Sequence, residues 1–188
     1  IDTGTGDQVN RILKWASALV DLNMLNRIVL THRHYDHVGG AFALSNKLSA
    51  KTYVHQLDAE AVRTGDAEET QAIMFGEELR PLDVPTIKEG DAISTGERSY
   101  RIIHTPGHSA GSISLFDESR GDLISGDTVF AGGVGRWDLP SGNYDDLVRS
   151  IKGLQRLKVI NLFPGHGPCG IGDGQEQIDL ALRYLGEY

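Results

Sequence analysis

The sequence predicts an α/β protein in which two β-sheets pack face to face with helices on the outside, and three observations carry that prediction. The first half alternates short β-branched runs with amphipathic segments, strand then helix then strand then helix. From Asp91 the pattern changes to hairpins, alternating segments on either side of glycine-containing turns. The last part returns to helix, buried strand and helix, and no repeat, low-complexity tract or linker divides the chain, so residues 1–188 read as a single domain.

In order, Ile1 to Gly6 reads as the end of a strand running into a Gly-rich turn. Asp7 to Leu22 then places Val9, Ile12, Leu13, Ala16, Leu19 and Val20 at helical spacing. Arg27 to Leu30 is a short aliphatic strand that leads straight into Thr31 to Gly40, THRHYDHVGG. On an extended backbone the side chains at 32, 34 and 36 share one side, and a turn at His37 brings the fourth into reach. Gly39 and Gly40 let the chain fold tightly before a helix over Ala41 to Leu48. Thr52 to His55 reads as the next strand and Leu57 to Arg63 as the next helix. Glu68 to Leu79 predicts a further helix, while Arg80 to Pro85, with its two prolines, is a connecting loop. Ala92 to Thr95 pairs with Ser99 to His104, and Ser112 to Asp117 with Asp122 to Ser125. Asp146 to Leu157 sets Leu147, Ile151 and Leu154 on one helical face, Val159 to Phe163 is a buried strand, and Gln175 to Leu185 closes the chain as a helix.

Composition narrows the function. The chain carries 18 Lys and Arg against 26 Asp and Glu, a formal net charge of −8, with no basic cluster. Such a surface repels phosphate backbones, which argues against a nucleic-acid partner. No apolar run reaches the length of a membrane span, and the opening IDTGTGDQ has neither a basic nor an apolar targeting region. The expectation is a soluble, cytoplasmic protein with a small-molecule substrate, no membrane partner and an unspecified oligomeric state. The single cysteine, Cys169, cannot form an internal disulfide, which fits a reducing compartment.

The chemistry concentrates in four loops. His32, His34, Asp36 and His37 fall within six consecutive positions, and these side chains bind divalent metals through nitrogen and oxygen. His108 lies in HTPGHSAGS, Asp127 in ISGDTVF and His166 in LFPGHGP, each at a strand end beside small residues. Five histidines and two aspartates suit zinc, iron or manganese and fit calcium poorly. Brought together, they divide into two metal sites sharing Asp127.

These motifs, with IDTG at Asp2, stand in the order found in the metallo-β-lactamase superfamily, and the sequence resembles the glyoxalase II (hydroxyacylglutathione hydrolase) type within it. The resemblance implies the αββα sandwich, with His32, His34 and His108 on one metal, Asp36, His37 and His166 on the other, and Asp127 between them. It implies two divalent ions, zinc foremost with iron or manganese as alternatives. It also implies that Asp2 orients a ligand histidine without binding metal. Paired cations, typically about 3.5–4 Å apart, lower the pKa of a water so that hydroxide exists at neutral pH. Asp36 is the catalytic residue, accepting a hydrogen bond from that nucleophile and relaying its proton. No serine nucleophile is needed, and no G-x-S-x-G elbow is present.

The other candidates read as structural. His55 and His104 sit at strand ends off the motif positions, and Cys169 reads as a small apolar residue in a turn. Arg136 and Trp137 either line a substrate pocket or pack. Asp127 argues against the better-known β-lactamases of the superfamily, which carry no bridging aspartate there. FAGGVGRWDLPSGNYDDLVRSI resembles the segment that follows the bridging aspartate in single-domain glyoxalase II-like proteins, which points to thioester hydrolysis. Persulfide dioxygenases, with a single iron, share the run Gly135 to Asp138, and lactonases share the seven ligands; a metal-stabilised binding module is the non-enzymatic alternative. The strands that precede IDTG in the family, and the C-terminal helical domain of the larger glyoxalase II enzymes, have no counterpart in this sequence.

Overall fold

The Arg27–Val29 run forms strand β1, as its two buried aliphatic residues require, and hydrogen-bonds in parallel with β2, Lys51–His55. In the computed structural model, which describes residues 1–187, these strands lie in the first of two compact units, Ile1–Thr86. A third short strand, β3 at Thr86–Ile87, completes the order β1-β2-β3 where that unit ends. Its helices are α1 (Val9–Ser17), α2 (Tyr35–Val38), α3 (Ala41–Leu48), α4 (Ala59–Thr64) and α5 (Ala72–Phe75). Leu30, Val38, Leu44, Val54, Val62 and Val84 form its core.

Three expectations are corrected in this unit. Helix α1 stops at Ser17, and the apolar pattern beyond it does not turn inward: Leu19 is 84% exposed and Val20 is also exposed. The THRHYDH segment is not extended throughout, since the chain enters α2 at Tyr35 with His34 at its N-cap. The helix expected over Glu68 to Leu79 shrinks to Ala72–Phe75, between left-handed residues at Gln71 (φ 59°) and Gly76 (φ 67°). Backbone before it is committed elsewhere: the Thr70 carbonyl accepts the Tyr35 N–H at 2.7 Å.

The second unit begins at Ile87 and holds a six-stranded sheet, ordered β11-β10-β7-β6-β5-β4. Its strands are β4 (Ala92–Ser94), β5 (Ser99–His104), β6 (Ile113–Asp117), β7 (Asp122–Gly126), β10 (Asn161–Pro164) and β11 (Gly170–Ile171), with β8 (Val129–Phe130) and β9 (Gly133–Val134) as a separate ribbon. The hairpins pair antiparallel, whereas β10 runs parallel to β7, as the intervening helix α6 (Tyr144–Gln155) allows. The Asn143 side chain caps α6 by accepting the Asp146 N–H at 2.9 Å, and Asp145 and Asp146 suit the helix dipole in the first turn. Leu147, Ile151 and Leu154 of α6 and Ile178 and Ala181 of α7 (Gly174–Tyr184) pack into one core with Leu123 and Leu162 from the strands. No helix among the described residues is long and apolar enough to cross a membrane.

Candidate metal centre

The sequence-predicted residues of the first unit are brought together around Asp2. Its carboxylate accepts the Thr31 N–H at 2.7 Å and the Thr31 hydroxyl at 2.9 Å, and Oδ2 lies 2.9 Å from His37 Nδ1. Asp2 sits at φ 54°, a left-handed conformation that aspartate tolerates better than most residues. The Thr3 N–H and hydroxyl both donate to the His37 carbonyl, at 2.8 and 2.7 Å. A Cβ at Gly40 would lie 2.4 Å from the Thr3 carbonyl oxygen, so this close approach requires glycine.

Those contacts assign the ring protons. The Thr31 hydroxyl has one proton, given to Asp2, so at 3.0 Å it accepts from His32 Nδ1. His37 Nδ1 donates to the Asp2 carboxylate. In their neutral form both rings therefore carry the lone pair on Nε2, the nitrogen a cation would take, and a partner on the other nitrogen is the usual support of a metal-ligating histidine. His32 packs against His34 and His37 with ring centroids 4.7 and 4.1 Å away. Potential ligand atoms of His32 and His34, of His32 and His37, and of Asp36 and His37 lie within 4.8 Å of one another. Asp36, in the first turn of α2, sets Oδ2 3.7 Å from His37 Nε2.

In the second unit His108, Asp127 and His166 form their own group. Asp127 follows β7 and His166 follows β10, adjacent strands whose ends pair at Gly126 and Pro164. Asp127 Oδ2 lies 3.5 Å from His108 Nε2 and 3.4 Å from His166 Nε2, one carboxylate oxygen between two imidazole nitrogens. His108 is buried, and its Nδ1 is 2.6 Å from the Arg136 carbonyl; a carbonyl can only accept, so Nδ1 holds the proton and Nε2 the lone pair. His166 is half exposed and meets Phe130 edge to face, centroids 6.0 Å apart. Three rings with Nδ1 engaged, together with carboxylates at their Nε2 sides, are a donor set that fits a divalent metal.

Neighbouring side chains sort themselves clearly. Arg136 and Asp138 form a bidentate pair at 2.9 and 2.8 Å, which holds the Asp138 carboxyl below its ordinary value. Trp137 packs against the second core and against Tyr144, so it is structural on its own account. His104 Nε2 donates to the Ala110 carbonyl at 2.8 Å, and His55 Nδ1 accepts the Leu57 N–H. Cys169 is exposed, in the loop between β10 and β11. Burial, then the nearby Glu77 and Asp7, push the Tyr35 phenol up. Sequence reasoning missed Thr31 and the Arg136 carbonyl as supports of the histidines; a backbone oxygen leaves no signature in residue type.

Comparison with known proteins agrees with this chemistry. The Metallo-beta-lactamase superfamily pattern matches residues 1–166. The chain belongs to the metallo-β-lactamase superfamily and has its α/β fold. The chain is 35% identical over 179 residues to a probable metallo-hydrolase of Methanocaldococcus jannaschii, covering 90% of this chain and 82% of that protein. An acyl-coenzyme A thioesterase of Homo sapiens is 34% identical over 158 residues, covering 73% of this chain and 54% of that protein, so the similarity spans about half of the thioesterase. Among solved structures, a protein crystallised in a di-iron-bound form superposes with a TM-score of 0.76 at 32% identity, covering 92% of this chain and 84% of that one. The B3 metallo-β-lactamase BLEG-1 gives a TM-score of 0.78 at 28% identity, with coverages of 91% and 82%.

Proposed function

We propose that the chain is a dinuclear metal-dependent thioesterase of the glyoxalase II type, its two units acting as one catalytic domain. His32, His34 and His108 would hold one divalent ion, Asp36, His37 and His166 the other, and Asp127 would bridge them. The observation that carries this reading is the Asp127 carboxylate, one oxygen of which is within 3.5 Å of Nε2 on both His108 and His166. A carboxylate so placed can serve two cations, and a mononuclear site would leave it one role too many. Zinc is the first expectation, and the di-iron-bound relative supports iron as a second.

When bound, such ions supply Lewis acidity and a nucleophilic hydroxide at neutral pH. The chain's own residues set up the rest. Asp36 accepts a hydrogen bond from the attacking water and takes up its proton, at the start of a helix where a carboxylate is electrostatically favoured. Asp2 holds His37 in one tautomer, and the Arg136 carbonyl does the same for His108. The acyl-coenzyme A thioesterase similarity supports a thioester substrate over a lactone or persulfide.

Metal analysis of carefully reconstituted protein tests the centre, with two divalent ions per chain expected and fewer than one refuting it. Substrate class is tested with one panel: thiol release from a 2-hydroxyacyl glutathione and from an acyl-coenzyme A, ring opening of an acyl-homoserine lactone, and oxygen uptake with glutathione persulfide. Thiol release is expected to dominate and to fall about 10²-fold or more in Asp127→Ala; unchanged activity in that variant would remove the bridge.

A further inference from the structure

Between the two histidines His32 and His34 lies a buried arginine, Arg33, whose partners take no part in the chemistry above. Its backbone N–H donates to Asp58 Oδ2 at 3.0 Å, its Nε is 3.8 Å from Asp58 Oδ1, and a terminal nitrogen is 2.6 Å from Glu69 Oε2. The Asp58 side chain is 0% exposed, Arg33 7% and Glu69 43%. A carboxylate and a guanidinium this deeply buried are costly to desolvate, and such pairs are weak contributors to stability. Their position suggests a different use.

His32 and His34 meet with their rings 4.7 Å apart, while Arg33 turns away to Asp58, at the N-cap of α4. Asp58 thus holds the peptide link between the two histidines by its main chain and its side chain at once. The turn that carries Glu69 is itself fixed, because Asp66 Oδ1 accepts the N–H groups of Glu68 and Glu69 at 3.0 and 2.9 Å. That same turn offers the Thr70 carbonyl to the Tyr35 N–H. The histidine pair is thus held at its middle, at Arg33, and just after it, at Tyr35.

We propose that Asp58 and Glu69 are positioning residues that, through Arg33, preset the His32–His34 pair for its cation. The ordering entropy of the loop is then lost on folding and not on metal capture, so removing the clasp weakens metal binding more than it alters the fold. The inference rests on the metal-centre reading, in which His32 and His34 bind one ion.

The test is metal affinity, measured with zinc against a competing chromophoric chelator, on the full chain. Asp58→Asn is expected to lose about 10–100-fold in one of two resolved binding steps and leave the other step unchanged. Glu69→Gln, at an exposed position, is expected to lose less in that same step, and to shift the imidazole resonances of His32 and His34 in metal-free protein. Arg63→Gln serves as a control in the same unit, since it removes a bond to the Val84 carbonyl away from the motif; both steps stay unchanged. Wild-type protein that binds no zinc overturns the metal-centre reading itself. Wild-type binding with unaltered affinity and unaltered histidine resonances in Glu69→Gln overturns the positioning role, and this variant decides the matter even if Asp58→Asn does not fold.

Discussion

Gly135→Ala should damage the His108 side of the centre although residue 135 offers no ligand. A Cβ there would stand 1.9 Å from the Asp127 carbonyl oxygen and 3.0 Å from His108 Nδ1. Carbon and oxygen do not approach that closely, so the gap must open to at least 3.0 Å, a shift of about an ångström in the backbone of residue 135 or 127. The next carbonyl in the chain, that of Arg136, holds His108 Nδ1 at 2.6 Å, and an ångström is enough to break that bond. Overpacking of this kind costs about 1–3 kcal/mol of stability. Misplacing a reacting group by a similar amount costs about 10² in rate. The assay is thiol release from the best thioester of the panel, alongside urea unfolding and zinc affinity. A variant with wild-type kcat/KM and zinc affinity would refute the reasoning, because it would mean that the 133–138 segment does not set the position of His108.

Asp2→Asn keeps the shape but removes the charge that favours a proton on His37 Nδ1; zinc affinity should fall about 10–100-fold, read by chelator competition, with the secondary structure by circular dichroism unchanged. Leu147→Ala, at a fully buried position of the second core, should cost about 2–5 kcal/mol in urea unfolding. The Asp138 carboxyl should titrate below its ordinary value because Arg136 donates to it, and carbon-13 NMR should show that lowering lost in Arg136→Ala. Since the folded-state value is the lower one, the pair's contribution is present above the ordinary carboxylate range and is lost as the pH falls through the lowered value.

Helix α3 occupies the residues that its sequence pattern marks, because a paired glycine start and an apolar stripe act within the segment itself. The β4 to β7 hairpins are legible for the same reason, each turn lying beside the strands it joins. The helix expected over Glu68 to Leu79 is not: its composition favours a helix, but the turn at Asp66 and the carbonyl at Thr70 are used to hold Arg33 and Tyr35, a tertiary demand that local propensity cannot register. The candidate ligands were visible as residue types in four motifs. What held them was less so. Asp2 could be read from its motif, whereas Asp58, 25 residues from Arg33, and the Arg136 carbonyl depend on how the chain folds back.

The parallel pairing of β7 with β10 acts as a ruler. Asp127 and His166 each follow a strand, and the last residues of the two strands, Gly126 and Pro164, pair just past an irregularity in the ladder, so strand pairing contributes directly to their spacing. Crossover residues outside the 133–138 segment and the buried face of α6 can therefore vary with little effect on the distance between these two side chains. A further slip in the ladder, by contrast, would move the Pro164 end of β10, and His166 after it, relative to Asp127. Tolerance of variation and intolerance of it are thereby assigned to different parts of the same unit: the exposed crossover residues away from Gly135 and Arg136 can vary, while the two strand ends stay at a constant separation.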